Sequence, residues 1–167
     1  MTDENSIETN SADALKADSM KPVFTLAGAS DTDELVELMR EFYAFEYLAF
    51  DERAARGALR QLVGDGRFGV IHLIRVGAET AGYLVVTFGF SLEFHGRDAF
   101  VDELYLRENF RGRGIGRASI EFAAELCRGE GIAALHLEVE RANARAQALY
   151  RRAGFRDHDR YLLTKWL

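Results

Sequence analysis

The chain has 167 residues, 48% of them hydrophobic and 29% charged, which suits one domain with a hydrophobic core of its own. Its formal net charge of −6 excludes the broad basic face needed for general binding to nucleic acid or a membrane surface. The single cysteine, Cys127, excludes an internal disulfide or a cysteine-built zinc cage, and no run of 18 apolar residues or signal-peptide core occurs, so a cytoplasmic protein is expected.

In chain order, residues 1–20 are polar without an apolar period and read as a disordered tail, leaving 21–167 as a single domain. A short strand is expected at Val23–Leu26. Ser30-Asp31-Thr32-Asp33-Glu34 supplies caps and early acids for a helix whose Leu35, Leu38, Met39 and Phe42 fall on one face. A second helix covers Glu52 to Val63, with Ala55, Leu59 and Leu62 inward, and stops at Gly64-Asp65-Gly66. Strands then follow at Phe68–Arg75 and Glu79–Phe88, joined through Val76-Gly77. Ala99–Leu106 is apolar on both faces apart from Asp102 and Glu103, the pattern of a central strand. The next helix runs to about Arg128, with Ile115, Ala118, Phe122 and Leu126 on one stripe, ended by Gly129 and Gly131. Cys127 reads as a buried small hydrophobe in that helix. Ala134–Val139 is a strand, Ala146, Leu149, Tyr150 and Ala153 mark a short helix closed by Gly154, and Tyr161–Leu167 is a last strand. The result is a mixed α/β domain. His72, His95, His136 and His158 lack the spacing of metal ligands, and no metal is expected.

Between the central strand and the helix lies Arg111-Gly112-Arg113-Gly114-Ile115-Gly116. Glycines at alternate positions let backbone approach a ligand closely, and a helix starting near Gly114 aims unpaired N–H groups and its positive dipole end at that ligand. Such a turn suits a phosphate or pyrophosphate. Arg107, Arg111, Arg113 and Arg117 add local positive charge to an acidic chain. A P-loop is excluded because Arg117-Ala118 follows the last glycine, and a dinucleotide turn because neither glycine spacing reaches a third glycine.

What remains, Arg-x-x-Gly-x-Gly, resembles motif A of the GNAT superfamily of N-acetyltransferases. Asn143-x-x-Ala146-x-x-Leu149-Tyr150-x-x-x-Gly154-Phe155 is similar to the family's second signature, and the order of elements matches across roughly Val23 to Leu167. The resemblance implies the GNAT fold, a mixed and mostly antiparallel central sheet flanked by helices. It also implies an acetyl-CoA-dependent N-acetyltransferase that acts by direct transfer in a ternary complex, without metal. The turn Arg111, Gly112, Arg113, Gly114, Ile115 and Gly116 would cradle the pyrophosphate. Leu104, Tyr105 and Leu106 would offer backbone groups to the pantetheine arm where this strand splays from Ala134–Val139, and Asn143 would add a hydrogen bond.

An alkyl ammonium of pKa about 10.4 must lose a proton before it can attack a thioester. Asp102 and Glu103, or Asp98, are candidates to take it; neighbours on a strand point to opposite faces, so only one of the adjoining pair faces a given cleft. By resemblance, Tyr150 would protonate or hydrogen-bond the departing thiolate. Acids among aromatics in residues 46–51 and 90–93 suit a cationic amine acceptor, and Glu46, Tyr47, Phe90 and Glu93 are the acceptor-side candidates. A non-catalytic acyl-CoA sensor is the alternative from another class. Acetyl-CoA and an amine are the expected partners, nucleic acid and membrane are not, and a homodimer is left open.

Overall fold

The computed structural model describes residues 21–166, so the tail reading of residues 1–20 lies outside the described residues. Strands β1 (Pro22–Leu26), β2 (Gly69–Val76), β3 (Glu79–Ser91), β4 (Gly96–Leu106) and β5 (Ala134–Leu137) lie side by side in that order. The first four pair antiparallel; β5 joins β4 in parallel. Helices α1 (Thr32–Phe45), α2 (Glu52–Gly64), α3 (Ile115–Gly129) and α4 (Ala144–Arg152) connect and cover them. Local chemistry sets several ends. Asp51 caps α2 by accepting from Ala54 N at 3.1 Å, and Asn143 caps α4 by accepting from Ala146 N at 3.0 Å. Gly154, with φ of 95°, occupies the left-handed position after α4.

The strand period of two divides the core into two layers. Ile71, Leu73, Tyr83, Val85 and Tyr105 meet Leu35, Val36 and Leu38 of α1 and Leu59 of α2 on one face. Ile74, Ala81, Leu84, Val86, Ala99 and Val101 meet Ile115, Ile120, Ala123 and Cys127 of α3 on the other. Along β4, Tyr105 belongs to the first layer and Val101 to the second, although strict alternation would put them together. The register explains it: consecutive Val85 and Val86 oppose Glu103 and Val101, so Asp102 is an extra residue, a β-bulge.

Three expectations need correction. The buried stripe of α3 is Ile115, Ser119, Ile120, Ala123 and Cys127, while Phe122 sits to its side and stacks on Phe24 of β1 at 4.3 Å. The small residues are the ones that let the helix lie close to the sheet. Next, β5 ends at Leu137 rather than Val139. Finally, residues 161–166 form no strand: among the described residues the chain beyond Arg152 joins no ladder.

Candidate active site

β4 and β5 pair only over Asp98–Val101 and Ala134–Leu137. β4 then continues five residues further along β3, to Leu106, with no strand on its other side. The pairing stops where β5 ends at Leu137, which leaves an opening beside β4, here called the fork, and Asp102 is the first residue along it. Arg107 N donates back to Ala81 O on β3 at 2.8 Å. By alternation, the N–H groups of Leu104 and Leu106 face the fork instead. Backbone donors thus line the unpaired side of β4, where the resemblance implied a splay.

The neighbouring acids have different surroundings. Glu103 accepts from Tyr83 Oη at 2.6 Å through one oxygen and from Tyr43 Oη at 3.1 Å through the other. Burial raises its pKa above the ordinary carboxylate range, while the two hydroxyls pull in the opposite direction. Asp102 keeps contact with solvent, yet the surrounding protein desolvates its carboxyl enough to raise its pKa as well. Among the described residues, no hydrogen bond or ion pair engages the Asp102 carboxylate. Burial also raises the pKa of Tyr43 and Tyr83, and both feel the charge of Asp102 in addition to that of Glu103. Glu103 thus acts on both tyrosines through hydrogen bonds, and Asp102 acts on them through its charge alone. Asp98 lies within the paired segment, 3.6 Å from His136 Nε2.

At the glycine turn, Gly112 and Gly114 have φ of 79° and 82°. Gly114 caps α3 without any side-chain hydrogen bond, and the first helical bond is donated by Ala118 N to Gly114 O at 3.0 Å. The N–H groups of Ile115, Gly116 and Arg117 are left over, as at any helix start. A Cβ at position 114 would meet nothing within 4 Å, so open space lies above the turn. Backbone, dipole and space together fit a diphosphate.

The arginines divide by job. Arg107 is bound to Glu41 at 2.8 Å and to Thr80 O at 3.0 Å, and Arg117 to Glu121 at 2.7 Å along the helix surface. Arg111 donates to Leu106 O at 2.7 Å with its guanidinium 4.0 Å over Phe45, tying the turn to the end of β4. Arg113 is exposed beside the Phe110 ring. Arg145 of α4, which sequence reasoning did not single out, comes within 3.3 Å of where a Cβ on Gly112 would stand. Its only signal in the sequence was its place two residues after Asn143. Tyr43 and Tyr83 were also missed, because a buried hydroxyl on a long-range partner leaves no local pattern.

Tyr150 packs at the margin of the α3-side core, among the same residues as Leu104, Leu106 and Leu137. Its hydroxyl has no hydrogen-bond partner among the described residues. Burial raises its pKa, and the charge of Glu46 raises it further, so the end of α1 faces α4 closely enough to be felt. Tyr47 is 97% exposed with φ of 56°, a strained conformation for a residue with a side chain. The structure separates the acceptor candidates. Phe90 pairs with Arg97, five residues before Asp102 on β4, which is about 17 Å at the ordinary strand rise. Glu93 beyond it is held by both nitrogens of Arg160, at 2.8 and 3.0 Å. Glu46 lies close enough to Tyr150 for its charge to be felt, with Tyr47 next to it in the chain, whereas Phe90 and Glu93 lie at the far tip of the β3–β4 hairpin.

An open side of β4 beside a glycine turn at a helix start is the arrangement that the resemblance to N-acetyltransferases implies. Residues 32–155 match the Acetyltransferase (GNAT) family, and the chain belongs to it. It is 30% identical over 143 residues to the thialysine N-epsilon-acetyltransferase of Mus musculus, covering 78% of this chain and 82% of that protein. The Bos taurus protein of the same name is 31% identical with the same coverage. Among solved structures, an integron cassette protein from the mobile metagenome of Cole Harbour salt marsh superposes with a TM-score of 0.78 at 38% identity, over 86% of this chain and 90% of that one. The protein is an acetyl-CoA-dependent N-acetyltransferase. Among the described residues, no group of His, Cys, Asp or Glu is placed to hold a metal ion, and no helix is long and apolar enough to cross a membrane.

Proposed function

We propose that the protein moves the acetyl group of acetyl-CoA to a primary alkyl amine by direct attack, with both substrates bound at the fork. The diphosphate lies on the turn Gly112–Gly116 beside Arg113 and Arg145, and the pantetheine arm runs along Leu104–Leu106. The observation that carries the reading is Asp102: a carboxylate with no hydrogen-bond or ion-pair partner among the described residues, at the point on β4 where its pairing with β5 stops. The amine nitrogen attacks the thioester carbon while its proton passes to Asp102, directly or through a water. The C–S bond breaks, the backbone N–H of Leu104 or Leu106 stabilises the oxyanion, and Tyr150 donates to the departing sulfur. The raised pKa of Tyr150 keeps its hydroxyl protonated, so it serves the leaving thiolate as a hydrogen-bond donor. Glu103, held by two tyrosines, positions the bulge.

Glu46 and Tyr47 supply the acceptor side, where a carboxylate and an exposed ring both suit an ammonium ion. Phe90 and Glu93 stand too far along the hairpin to share that role within one chain. The names of the mouse and bovine relatives point to the terminal side-chain amine of a lysine-like amino acid, which makes thialysine and lysine the first acceptors to test. The assay is release of the CoA thiol across a panel of amines. Primary alkyl amines should lead it, and Glu46→Gln should raise their KM several-fold while leaving that of acetyl-CoA alone. Neutral or anionic acceptors outperforming every amine would overturn the reading.

A further inference from the structure

Helix α1 ends at Phe45, and residues 46–50 then cross without helix or strand to Asp51, the cap of α2. Their backbone ties run back into α1: Glu46 N donates to Phe42 O at 2.9 Å, and Leu48 N to Tyr43 O at 2.8 Å. Tyr47, between them, keeps its left-handed backbone in solvent. The direction in which this segment leaves α1 is therefore set by the last helical turn and by whatever holds Phe45. Phe45 belongs to neither core layer. It is 51% exposed, and among the described residues it stacks on no other aromatic ring. Its face is covered instead by Arg111, whose guanidinium carbon lies 4.0 Å from the ring centroid, well inside the roughly 6 Å reach of a cation–π contact.

Arg111 is a cation without an anion. Among the described residues no carboxylate pairs with it, whereas Arg107 and Arg117 have Glu41 and Glu121. Its Nε is given to Leu106 O at 2.7 Å, and the ring of Tyr105, buried in the α1-side layer, lies 5.6 Å from the guanidinium. A planar guanidinium can donate in its plane and stack on a ring above it at the same time, which an ammonium cannot. The next residue is Gly112, where the left-handed turn begins. One side chain rooted in the glycine turn thus touches both the end of β4 and the end of the helix that leads into Glu46 and Tyr47.

We propose that Phe45 is a positioning residue for the acceptor: stacked on Arg111, it fixes residues 46–48 relative to the glycine turn, so that filling the turn with coenzyme A orders the acceptor side. This rests on the reading of Glu46 and Tyr47 given above. A diphosphate bound to the N–H groups of the turn steadies Arg111, Arg111 steadies the Phe45 ring, and the ring steadies the segment that follows it. The link acts in both directions, because a contact that couples two ligands changes the affinity of each by the same factor.

Hydrogen exchange read by mass spectrometry tests the link without any acceptor. Saturating coenzyme A should slow exchange at the Glu46, Tyr47 and Leu48 amides by about fivefold or more in the parent. Phe45→Tyr keeps the aromatic face and should show the same protection; Phe45→Leu keeps the apolar bulk, loses the face and should show none. Steady-state kinetics with the leading amine of the acceptor panel give a second readout. Phe45→Leu should raise the acceptor KM about threefold to fivefold, the weight of one half-exposed cation–π contact, while the Kd of acetyl-CoA alone moves less than about twofold. Phe45→Tyr should match the parent in both. Protection that is missing from the parent, or that survives in Phe45→Leu, overturns the inference, as does an acceptor KM that is unchanged in Phe45→Leu or raised equally in Phe45→Tyr. A parent that acetylates no amine overturns the acceptor reading instead, and the exchange measurement still decides the link.

Discussion

Asp102 and Glu103 adjoin each other, and both have raised pKa values for the same first reason, burial. Their partners divide the work. Glu103 has given both oxygens to Tyr83 and Tyr43, so a proton landing there would break an existing hydrogen bond. Asp102 has no such commitment and keeps an opening to solvent through which a collected proton can leave. Asp102→Asn should therefore lower kcat by about 10²–10⁴, the usual range for a general base. As the base works ionised, activity in the parent should fall as pH drops through the raised pKa of Asp102, above the ordinary value of about 3.9; the variant should lose that acid limb. Glu103→Gln keeps one accepting oxygen and should cost tenfold or less, with the limb retained. If pH–rate profiles show the reverse pattern, the two acids exchange roles. Tyr150→Phe removes the unpartnered hydroxyl and keeps the ring that packs beside Phe155. Turnover should drop at least tenfold in steady-state assays, with acetyl-CoA affinity little altered, as for a group acting in the transition state.

At the scale of the element, the site depends on a helix start and a bulge. The helix start was legible in the sequence, since alternate glycines announce the left-handed turn at Gly112 and Gly114. The bulge was not: an extra residue in β4 shows only against the register of β3, and Asp102-Glu103 by itself reads as plain alternation. The arginine cluster read as ligand-facing charge, whereas Arg107 is held by Glu41, distant in sequence, and Arg117 by Glu121 one helical turn on, a spacing the sequence did offer. The turn invites a controlled test. Gly114 and Gly154 both have positive φ, and a Cβ at either would meet nothing within 4 Å. An alanine at either site costs about 1–2 kcal/mol of backbone strain. Only Gly114→Ala places a methyl over the α3 start. Calorimetry should show acetyl-CoA affinity falling at least tenfold for Gly114→Ala and hardly changing for Gly154→Ala. Equal losses would mean that strain alone is being measured.

For the whole molecule, the layered plan followed from the alternation of periods along the chain, and the two helical faces landed on opposite sides of the sheet as apolar stripes require. The expected last strand has strand composition at Tyr161–Trp166 yet joins no ladder among the described residues, because composition states a preference and pairing needs a partner edge. The buried position of Cys127 has a practical consequence. The residue is 3% exposed among the α3-side apolar residues, and burial raises the pKa of its thiol, which stays un-ionised and shielded. Each turnover releases a reactive thiol, and an enzyme whose only sulfhydryl is sealed in this way should form no mixed disulfide with its own product. A chromogenic disulfide reagent should consequently titrate no protein thiol in the native state and one after denaturation. Product could then be followed continuously with that reagent without poisoning the catalyst.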